Sequence, residues 1–293
     1  MQKSAFDQIL KENVIHSIGI NLFGYEIGDK RYPNHYNVCA FDKFVCQMRE
    51  EYNAHFRNYW EGKGNELTSQ NGTPPKMASV ASSSRFCYLA LRKGAQGLGS
   101  DGDVVFEHSC RIDKIRGGTP PQMDAYIEKD NIFVEVKCHE IFDAHDIKLS
   151  HQYRQFLFAR DNDFGFAPVS NEDGAPIVLS RTAFGLKEEQ TMLDIKQLIC
   201  HLLGIQSHKA ADEKATLVYL FFKPKVLTDE QRRGIDTLFN DLQDEIEIVF
   251  GGKHSPIRQF AEKNNIQLKA IAQYAEVMSP LTEENRIFLF PGK

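Results

Sequence analysis

The sequence predicts an α/β fold in which helices flank one mixed β-sheet. Three short runs rich in β-branched and aromatic residues begin after Asp103, and they are VVFEH, QMDAYIE and IFVEVKC. Turn residues separate these runs, as they do between neighbouring strands. Residues 191–203 then carry their apolar side chains on one helical face, and the apolar run TLVYLFF follows at 216–222, before Pro224. Strands followed by a helix and a further strand indicate a mixed sheet.

Length and composition fit one globular unit and exclude several classes of protein. Of the 293 residues, 42% are hydrophobic and 26% are charged, which excludes disorder, collagen and coiled coil for the whole chain. The net charge of −5 excludes a wholly basic protein that coats nucleic acid, but it is compatible with a local basic groove. No apolar stretch approaches the ~20 residues of a membrane span. The six scattered cysteines and the absence of a signal-peptide pattern predict reduced thiols in the cytoplasm.

The chain is expected to form one compact unit with three parts. Residues 61–225 should form the core, with a helical extension at 1–60 and a helical segment at 226–293 that packs on it. The coarse order of elements is α, β, β, β, α, α, β, α, and the serines at 82–84 should open the first core helix. The N-terminal extension is predicted as helical from four apolar residues at helical spacing: Phe41, Phe44, Val45 and Met48.

Further helix boundaries follow from glycines and capping residues. A helix is predicted at 152–160, and Gly204 is expected to end the helix that precedes it. Thr228 followed by Gln231 has the spacing of a capping box, which starts another helix. Helical signals continue to Met278, and the sequence IFLF near the end predicts a short strand.

Three polar residues lie on a predicted hairpin in the core. Asp124 is on its first strand, and Glu135 and Lys137 are on its second. Side chains two apart in a strand share a face. A turn at 129–130 places Asp124 opposite Glu135, and a turn at 130–131 places it opposite Lys137. In both registers the three side chains share one face, about 5 Å apart across the strands, whereas a three-residue loop would turn Asp124 to the other face.

These residue types suit the hydrolysis of a phosphodiester. Two carboxylates at this separation repel each other unless a cation lies between them. Mg²⁺ prefers oxygen ligands, typically one or two carboxylates with waters and a substrate phosphate. It lowers the pKa of a bound water and neutralises charge on the phosphate. The ammonium of Lys137 can orient the water or stabilise the transition state.

The sequence resembles the PD-(D/E)xK nuclease superfamily in one motif. The motif consists of Asp124, ten intervening residues and the triplet Glu135-Val136-Lys137. The resemblance covers the core and implies a restriction-endonuclease-like fold with the order α-β-β-β-α-β, a central mixed sheet and flanking helices. It implies that Asp124, Glu135 and the carbonyl of Val136 bind Mg²⁺ or Mn²⁺ and that Lys137 is catalytic. The family often has a proline directly before the aspartate, where this sequence has Met123.

The resemblance implies an endonuclease that acts on DNA, and many such nucleases dimerise to cut both strands, so a homodimer is compatible with it. The alternative is a catalytically silent module of the same fold that binds nucleic acid or a protein partner. A third hypothesis is a structural or interaction protein in which the hairpin charges are incidental. It predicts that the three side chains do not converge.

Auxiliary residues are expected on two neighbouring segments. Many members of the family carry another acidic residue on the helix before the first strand. Glu66 is the candidate in this sequence, because its glycine-flanked polar stretch could open a helix beside the sheet, and Glu50 and Glu51 are alternatives farther upstream. Gln152 and Gln155, on the helix after the hairpin, could hold a phosphate or a water, although a solvated helix face is the more common role of such residues.

Basic residues near the hairpin could line a groove for phosphates. Arg111, Lys114 and Arg116 lie just before it and are the predicted nucleic-acid contacts, with an ordinary charged surface as the alternative. Gln197 and His201, four residues apart, share a face of the next helix. They could face the groove, but a surface histidine is the more common case. Three more basic residues lie on the preceding helix: Arg85, Arg92 and Lys93.

Overall fold

The predicted α/β class is confirmed. A computed structural model of the chain describes residues 1–62, 64–113, 115, 119–158, 164, 166, 174–276 and 279–292. Within these residues, eight α-helices are combined with a six-stranded mixed sheet and two small two-stranded sheets. None of the described helices is both long and apolar enough to cross a membrane.

The elements are numbered in chain order. The helices are α1 (Lys3–Ile18), α2 (Val38–Glu51), α3 (Asn53–Glu61), α4 (Ser83–Leu91), α5 (Arg154–Leu157), α6 (Ile195–His208), α7 (Asp229–Ile246) and α8 (Pro256–Lys263). The strands are β1 (Phe23–Ile27), β2 (Lys30–Tyr36), β3 (Val104–Ser109), β4 (Gln122–Ile127), β5 (Ile132–Lys137), β6 (Lys148–Leu149), β7 (Ile177–Val178), β8 (Ala215–Pro224), β9 (Ile266–Ala275) and β10 (Arg286–Phe290).

The main sheet has the order β10-β9-β8-β5-β4-β3. Strands β3, β4 and β5 form an antiparallel meander, β5, β8 and β9 run parallel, and β10 returns antiparallel to β9. Strand β8 lies between two parallel neighbours, which is why its sequence is an unbroken apolar run. The central elements follow the order α4-β3-β4-β5-α6-β8, with β6, α5 and β7 between β5 and α6.

Side-chain caps fix the starts of five of the described α-helices, and three of these caps test the sequence predictions. The Ser82 hydroxyl accepts a hydrogen bond from the backbone N–H of Arg85, so the serine run does open α4. Thr228 and Gln231 form the predicted capping box of α7. Helix α6 begins only after Asp194, whose carboxylate caps it, and therefore starts later than the apolar pattern indicated. The helix predicted at 152–160 is much shorter, and α5 is preceded by a 3-10 turn.

Gly204 does not end α6, which continues to His208. A Cβ atom at position 204 would lie 2.9 Å from the Cβ of Cys110 and 3.0 Å from its carbonyl oxygen. The glycine therefore allows close approach between α6 and the segment that follows β3. The helix continues past it because tertiary packing outweighs the modest helix-breaking tendency of one glycine.

Replacement of glycine by alanine should have opposite effects on stability at positions 204 and 234. Gly204→Ala should destabilise the protein by about 1–3 kcal/mol, because the added methyl group meets the backbone of Cys110. Gly234→Ala, in α7, should stabilise it by up to about 1 kcal/mol, because alanine favours a helix and the methyl group meets only the flexible end of Met1. Urea denaturation of both variants tests this, and equal signs would contradict it.

The N-terminal extension is not wholly helical. Helices α1, α2 and α3 are present, but β1 and β2 form a hairpin between α1 and α2. Its two-residue turn contains Gly28, whose φ is +57°, and Gly-Asp between two extended runs is a hairpin signal. The helical prediction for residues 1–60 missed this signal because it depended on the later apolar stripe of α2.

The helical prediction for the C-terminal segment is wrong after α8. Residues predicted as helical form β9, which pairs in parallel with all of β8, while the short terminal strand is present as β10. Lys, Gln and Ala in β9 are good helix formers. The free edge of β8 supplies ladder partners, and burial of Ile266 and Leu268 on one face stabilises the strand instead. The segment therefore completes the sheet as well as packing on it.

Candidate functional site

The β4–β5 hairpin adopts the register that corresponds to a turn at 129–130, one of the two that the sequence predicted. The strands pair through Ala125↔Val134, Tyr126↔Phe133 and Ile127↔Ile132. Continued by one residue, this register places Asp124 opposite Glu135. The connection is a 3-10 turn that ends at Asn131, whose φ of +52° reverses the chain. Asparagine tolerates this left-handed conformation better than most residues.

The backbone pairing between β4 and β5 ends next to Asp124. Strand β5 stays paired with β8 as far as Lys137, and β4 stays paired with β3 as far as Gln122. The Oδ2 atom of Asp124 accepts a 2.7 Å hydrogen bond from the backbone N–H of Val136. A side-chain oxygen therefore takes the position of a ladder partner and fixes the orientation of the carboxylate.

The polar side chains of the hairpin line a cleft of about 750 Å³. We call it the carboxylate cleft and define it by Glu66, Glu107, Asp124, Glu135 and Lys137, all of which line it. Other elements complete the walls. They contribute Tyr32, His35, Lys76, Ser82, Thr119, Gln122, His139, Glu140 and Gln197, among others.

Glu107 lies in the cleft but was not expected from the sequence. Strand β3 pairs with β4 on both sides of it, and the register places Glu107 opposite Asp124. Glu107, Asp124 and Glu135 are thus at one level of three neighbouring strands. The φ angle of Glu107 is +54°, which costs a residue with a side chain about 1–2 kcal/mol. Strain of this kind is concentrated at functional sites.

Burial and the repulsion between like charges raise the pKa of two carboxyl groups in the cleft, those of Glu107 and Asp124. Burial raises the pKa of Glu107 to about 7, and the charges of Glu66 and Glu135 add to the effect while Lys76 opposes it. Burial also raises the pKa of Asp124, with further contributions from Glu135 and Glu107. Like charges in a poorly solvated cleft favour the neutral forms. A cation bound among these carboxylates would remove that repulsion.

Lys137 is held as a cation beside Glu135. Its Nζ donates hydrogen bonds to Glu135 Oε1 at 2.8 Å and to Gln197 Oε1 at 2.6 Å, and Gln197 Nε2 donates to Glu135 Oε1 at 2.8 Å. Burial lowers the pKa of Lys137, but Glu135 and Glu140 more than offset this, so the pKa is raised overall. Lys137 is therefore a fixed ammonium donor and not a base at neutral pH.

His201 supports the site from inside the protein. It is buried, with Nε2 3.6 Å from Glu135 Oε2 and Nδ1 3.3 Å from the hydroxyl of Tyr219. Burial lowers the pKa of His201 although Glu135 opposes this, so the imidazole is neutral at pH 7. The expected surface position is wrong, because this face of α6 packs onto the sheet. Gln197, one turn earlier, does reach the cleft.

Glu66 is placed in the cleft, whereas its rivals are not. Its side chain is only 6% exposed, and its Oε1 lies 3.2 Å from the Nζ of Lys76. Its Oε2 is buried and has no hydrogen-bond partner among the described residues. Glu50 and Glu51 are exposed on α2. Glu66 does not open a helix as expected, since it lies in an irregular segment well before α4.

The predicted auxiliary residues lie away from the cleft or outside the described residues. Arg111 is exposed and lines a separate hollow of about 180 Å³. Lys114 and Arg116 lie outside the described residues. Gln152 and Gln155 do not line the cleft, and the side chain of Gln155 donates to the carbonyl of Gln152 instead. The polar helical residue that contacts the hairpin is Gln197, on α6.

Arg85 has a structural role and is not part of a phosphate groove. Its guanidinium is buried, donates to the carbonyls of Met77 and Val80, and lies 4.1 Å from the ring centroid of Tyr36. These hydrogen bonds stabilise the loop around residues 77–80, which forms part of one wall of the carboxylate cleft. Arg92 and Lys93 do not line the cleft either, so the basic groove expected on this helix is wrong.

The side chains of the cleft fit a hard cation only in part. Across the described segments, no three His, Cys, Asp or Glu side chains are close enough to form a ready set of metal ligands. Mg²⁺ needs only one or two carboxylates when waters and a substrate phosphate complete its shell. The unpartnered Oε2 of Glu66 and the crowded carboxylates of Asp124 and Glu135 supply oxygen atoms of this kind.

Comparison of the chain with protein-family models, curated proteins and solved structures gives no significant match. Any function assigned to the cleft therefore depends on its own geometry. The site combines three carboxylates on adjacent strands, the half-buried ammonium of Lys137 and an oxygen of Glu66 that has no partner among the described residues. Glu107 is the residue that the sequence did not reveal, since its place depends on the pairing of β3 with β4 across a 12-residue connection.

Proposed function

We propose that the protein is a metal-dependent nuclease, an endonuclease that hydrolyses phosphodiester bonds in DNA. The observation that carries the proposal is the row of Glu107, Asp124 and Glu135 across three adjacent strands, with the ammonium of Lys137 beside it. The order α4-β3-β4-β5-α6-β8 around the cleft supports it, because the PD-(D/E)xK resemblance implies this order.

Mg²⁺ or Mn²⁺ would be held by the carboxylates of Asp124 and Glu135 and the carbonyl of Val136, with Glu66 as a further ligand. When bound, such an ion polarises a phosphate and makes a water molecule more acidic. The charged residues of the cleft are consistent with a bound cation. The walls carry five acidic side chains and two lysines, so a divalent cation would offset the excess of acidic groups that a phosphodiester has to approach.

The protein's own residues would then orient the reactants. Lys137 presents a charged donor to the phosphate or to the attacking water, where it stabilises developing negative charge. Gln197 accepts from Lys137 and donates to Glu135, so it holds both groups in place. The hydrogen bond from the N–H of Val136 keeps one oxygen of Asp124 fixed and leaves the other for the ion.

The test is incubation of the purified chain with supercoiled plasmid and either Mg²⁺ or Mn²⁺. We expect nicked and linear products, complete loss of cleavage in EDTA, and recovery when excess Mg²⁺ is added. A wild-type protein that binds Mn²⁺ without any cleavage of plasmid, linear duplex or single-stranded DNA would contradict a DNase.

A catalytically silent module is the second candidate. It is favoured by one feature, namely that oxygens of Asp124 and Glu135 are already engaged by the N–H of Val136 and by Lys137. Isothermal titration with Mn²⁺ separates the two. A nuclease should bind Mn²⁺ in a manner that Asp124→Asn weakens, whereas a silent module should show no carboxylate-dependent binding.

A further inference from the structure

Trp60 presents an aromatic surface to solvent at the end of α3. It is the single tryptophan of the chain, and 57% of it is exposed. Its ring stacks on Phe56, one turn earlier, with centroids 5.5 Å apart and ring planes 24° apart. The stack holds the indole in one orientation while much of its surface stays open.

The chain after Trp60 leads directly into the carboxylate cleft. Tyr59 is buried against Phe106 of β3, with ring centroids 5.3 Å apart. A Cβ atom at Gly62 would lie 3.8 Å from the Cγ of Glu107. Because consecutive Cα atoms are 3.8 Å apart, Trp60 and Gly62 are separated by at most ~7 Å. The backbone of Trp60 therefore lies close to Glu107, one of the acidic residues that line the cleft.

Positive charges lie beside the two stacked rings. The guanidinium of Arg49 is 6.0 Å from the ring centroid of Phe56. Arg57 is exposed and is a neighbour of Trp60 at i, i+3 on the helix surface. The adjacent acid, Glu61, points about 100° away around the helix. The exposed indole of Trp60 and the half-buried ring of Phe56 thus have cations beside them that could contact a nucleic-acid backbone.

We propose that Trp60 and Phe56 form a stacking platform for an unpaired base of the nucleic-acid substrate. An exposed aromatic ring binds the flat face of a base, and in a duplex both faces are covered by neighbouring bases. The platform would therefore select single strands, flaps or frayed ends and lead the adjoining phosphate into the carboxylate cleft. This inference rests on the nuclease function proposed above.

Fluorescence provides a direct test, because Trp60 is the only indole. Oligothymidylate of about 12 nucleotides is titrated into the wild-type chain in EDTA, and into Lys137→Gln with Mg²⁺, where cleavage should be arrested. Circular dichroism first establishes that the variant is folded. We expect saturable quenching of tryptophan emission by the single strand and much weaker quenching by a blunt duplex of the same length.

Binding of a labelled oligonucleotide, followed by anisotropy, extends the test to variants. Trp60→Ala should weaken single-strand binding on the order of 5- to 100-fold, whereas Trp60→Phe should bind nearly as the wild type while losing the emission. The matched control is Phe288→Ala. Phe288 is also exposed and has an arginine over its ring, but it lies on β10, at the opposite edge of the sheet.

The possible results separate the platform from the nuclease. Equal quenching by duplex and single strand, or no quenching at all, would overturn the platform even if plasmid cleavage requires Asp124. Single-strand binding that Trp60→Ala weakens and Trp60→Phe retains would support the platform even if Asp124→Asn showed that the cleavage assignment is wrong. Loss of affinity in Phe288→Ala equal to that in Trp60→Ala would also overturn it.

Discussion

Replacement of Asp124 by asparagine is expected to abolish Mg²⁺-dependent cleavage, with a loss of at least about 10³-fold in rate. The substitution replaces a carboxylate that could ionise and hold a cation with a neutral amide. It retains an oxygen that can accept the hydrogen bond from the N–H of Val136, so the strands should keep their geometry. Initial rates of plasmid nicking over a range of Mg²⁺ concentrations measure the effect.

Lys137→Gln should reduce the rate by about 10²–10³-fold with a smaller effect on Mn²⁺ binding, because it removes a charged donor rather than a ligand. The matched control is Lys129→Gln on the same hairpin. Lys129 is exposed and pairs with Asp101 at 2.7 Å, so its removal should leave cleavage unchanged. Undiminished cleavage in both Asp124→Asn and Lys137→Gln would show that the activity lies elsewhere.

Much of this site could be predicted from local sequence because strands have a period of two. The pattern of IFVEVKC places Glu135 and Lys137 on one face whatever the rest of the chain does. The turn length then restricts where Asp124 can lie. Glu107 could not be found in this way, since its position depends on how β3 pairs with β4 and on a left-handed φ angle that no local signal in VVFEH indicates.

Other differences have the same origin in tertiary contacts. The residues of β9 have helical propensity, but pairing with β8 makes them a strand. Gly204 is suited to end a helix, but it lies inside α6 because Cys110 approaches closely there. His201 has a polar side chain suited to solvent, yet it is buried between Glu135 and Tyr219. Each outcome was decided by a neighbour that is remote in the sequence.

Glu107→Gln is expected to stabilise the cation-free protein at pH 8 by on the order of 2–3 kcal/mol. The pKa of Glu107 is about 7 in the folded protein and has an ordinary value of 4.5. The folded state therefore binds the proton more tightly than the unfolded state. The contribution of Glu107 to the free energy of unfolding falls as the pH rises from about 4.5 to 7. Above pH 7 this destabilisation is complete. Urea denaturation in EDTA at several pH values measures this.

At about pH 3.5 and below, the wild type and Glu107→Gln should have nearly equal stability, since Glu107 is then protonated in the folded state and largely protonated in the unfolded state. Glu128→Gln is the matched control, because Glu128 is exposed in the turn after β4 and should show no such pH-dependent difference. A Glu107→Gln variant that is less stable at pH 8 would show that Lys76 compensates the charge.

Glu107→Gly separates the charge of Glu107 from its backbone strain. Both substitutions remove the carboxylate, but only glycine also relieves the left-handed φ of +54°, for a further gain of about 1 kcal/mol. If both substitutions raise the free energy of unfolding and both reduce cleavage, then Glu107 lowers stability through its charge and through its backbone conformation, and it is needed for cleavage. Such a trade-off is expected where a residue is retained for chemistry at the expense of the fold. Equal stability of the two variants would show that the backbone at this position is not strained.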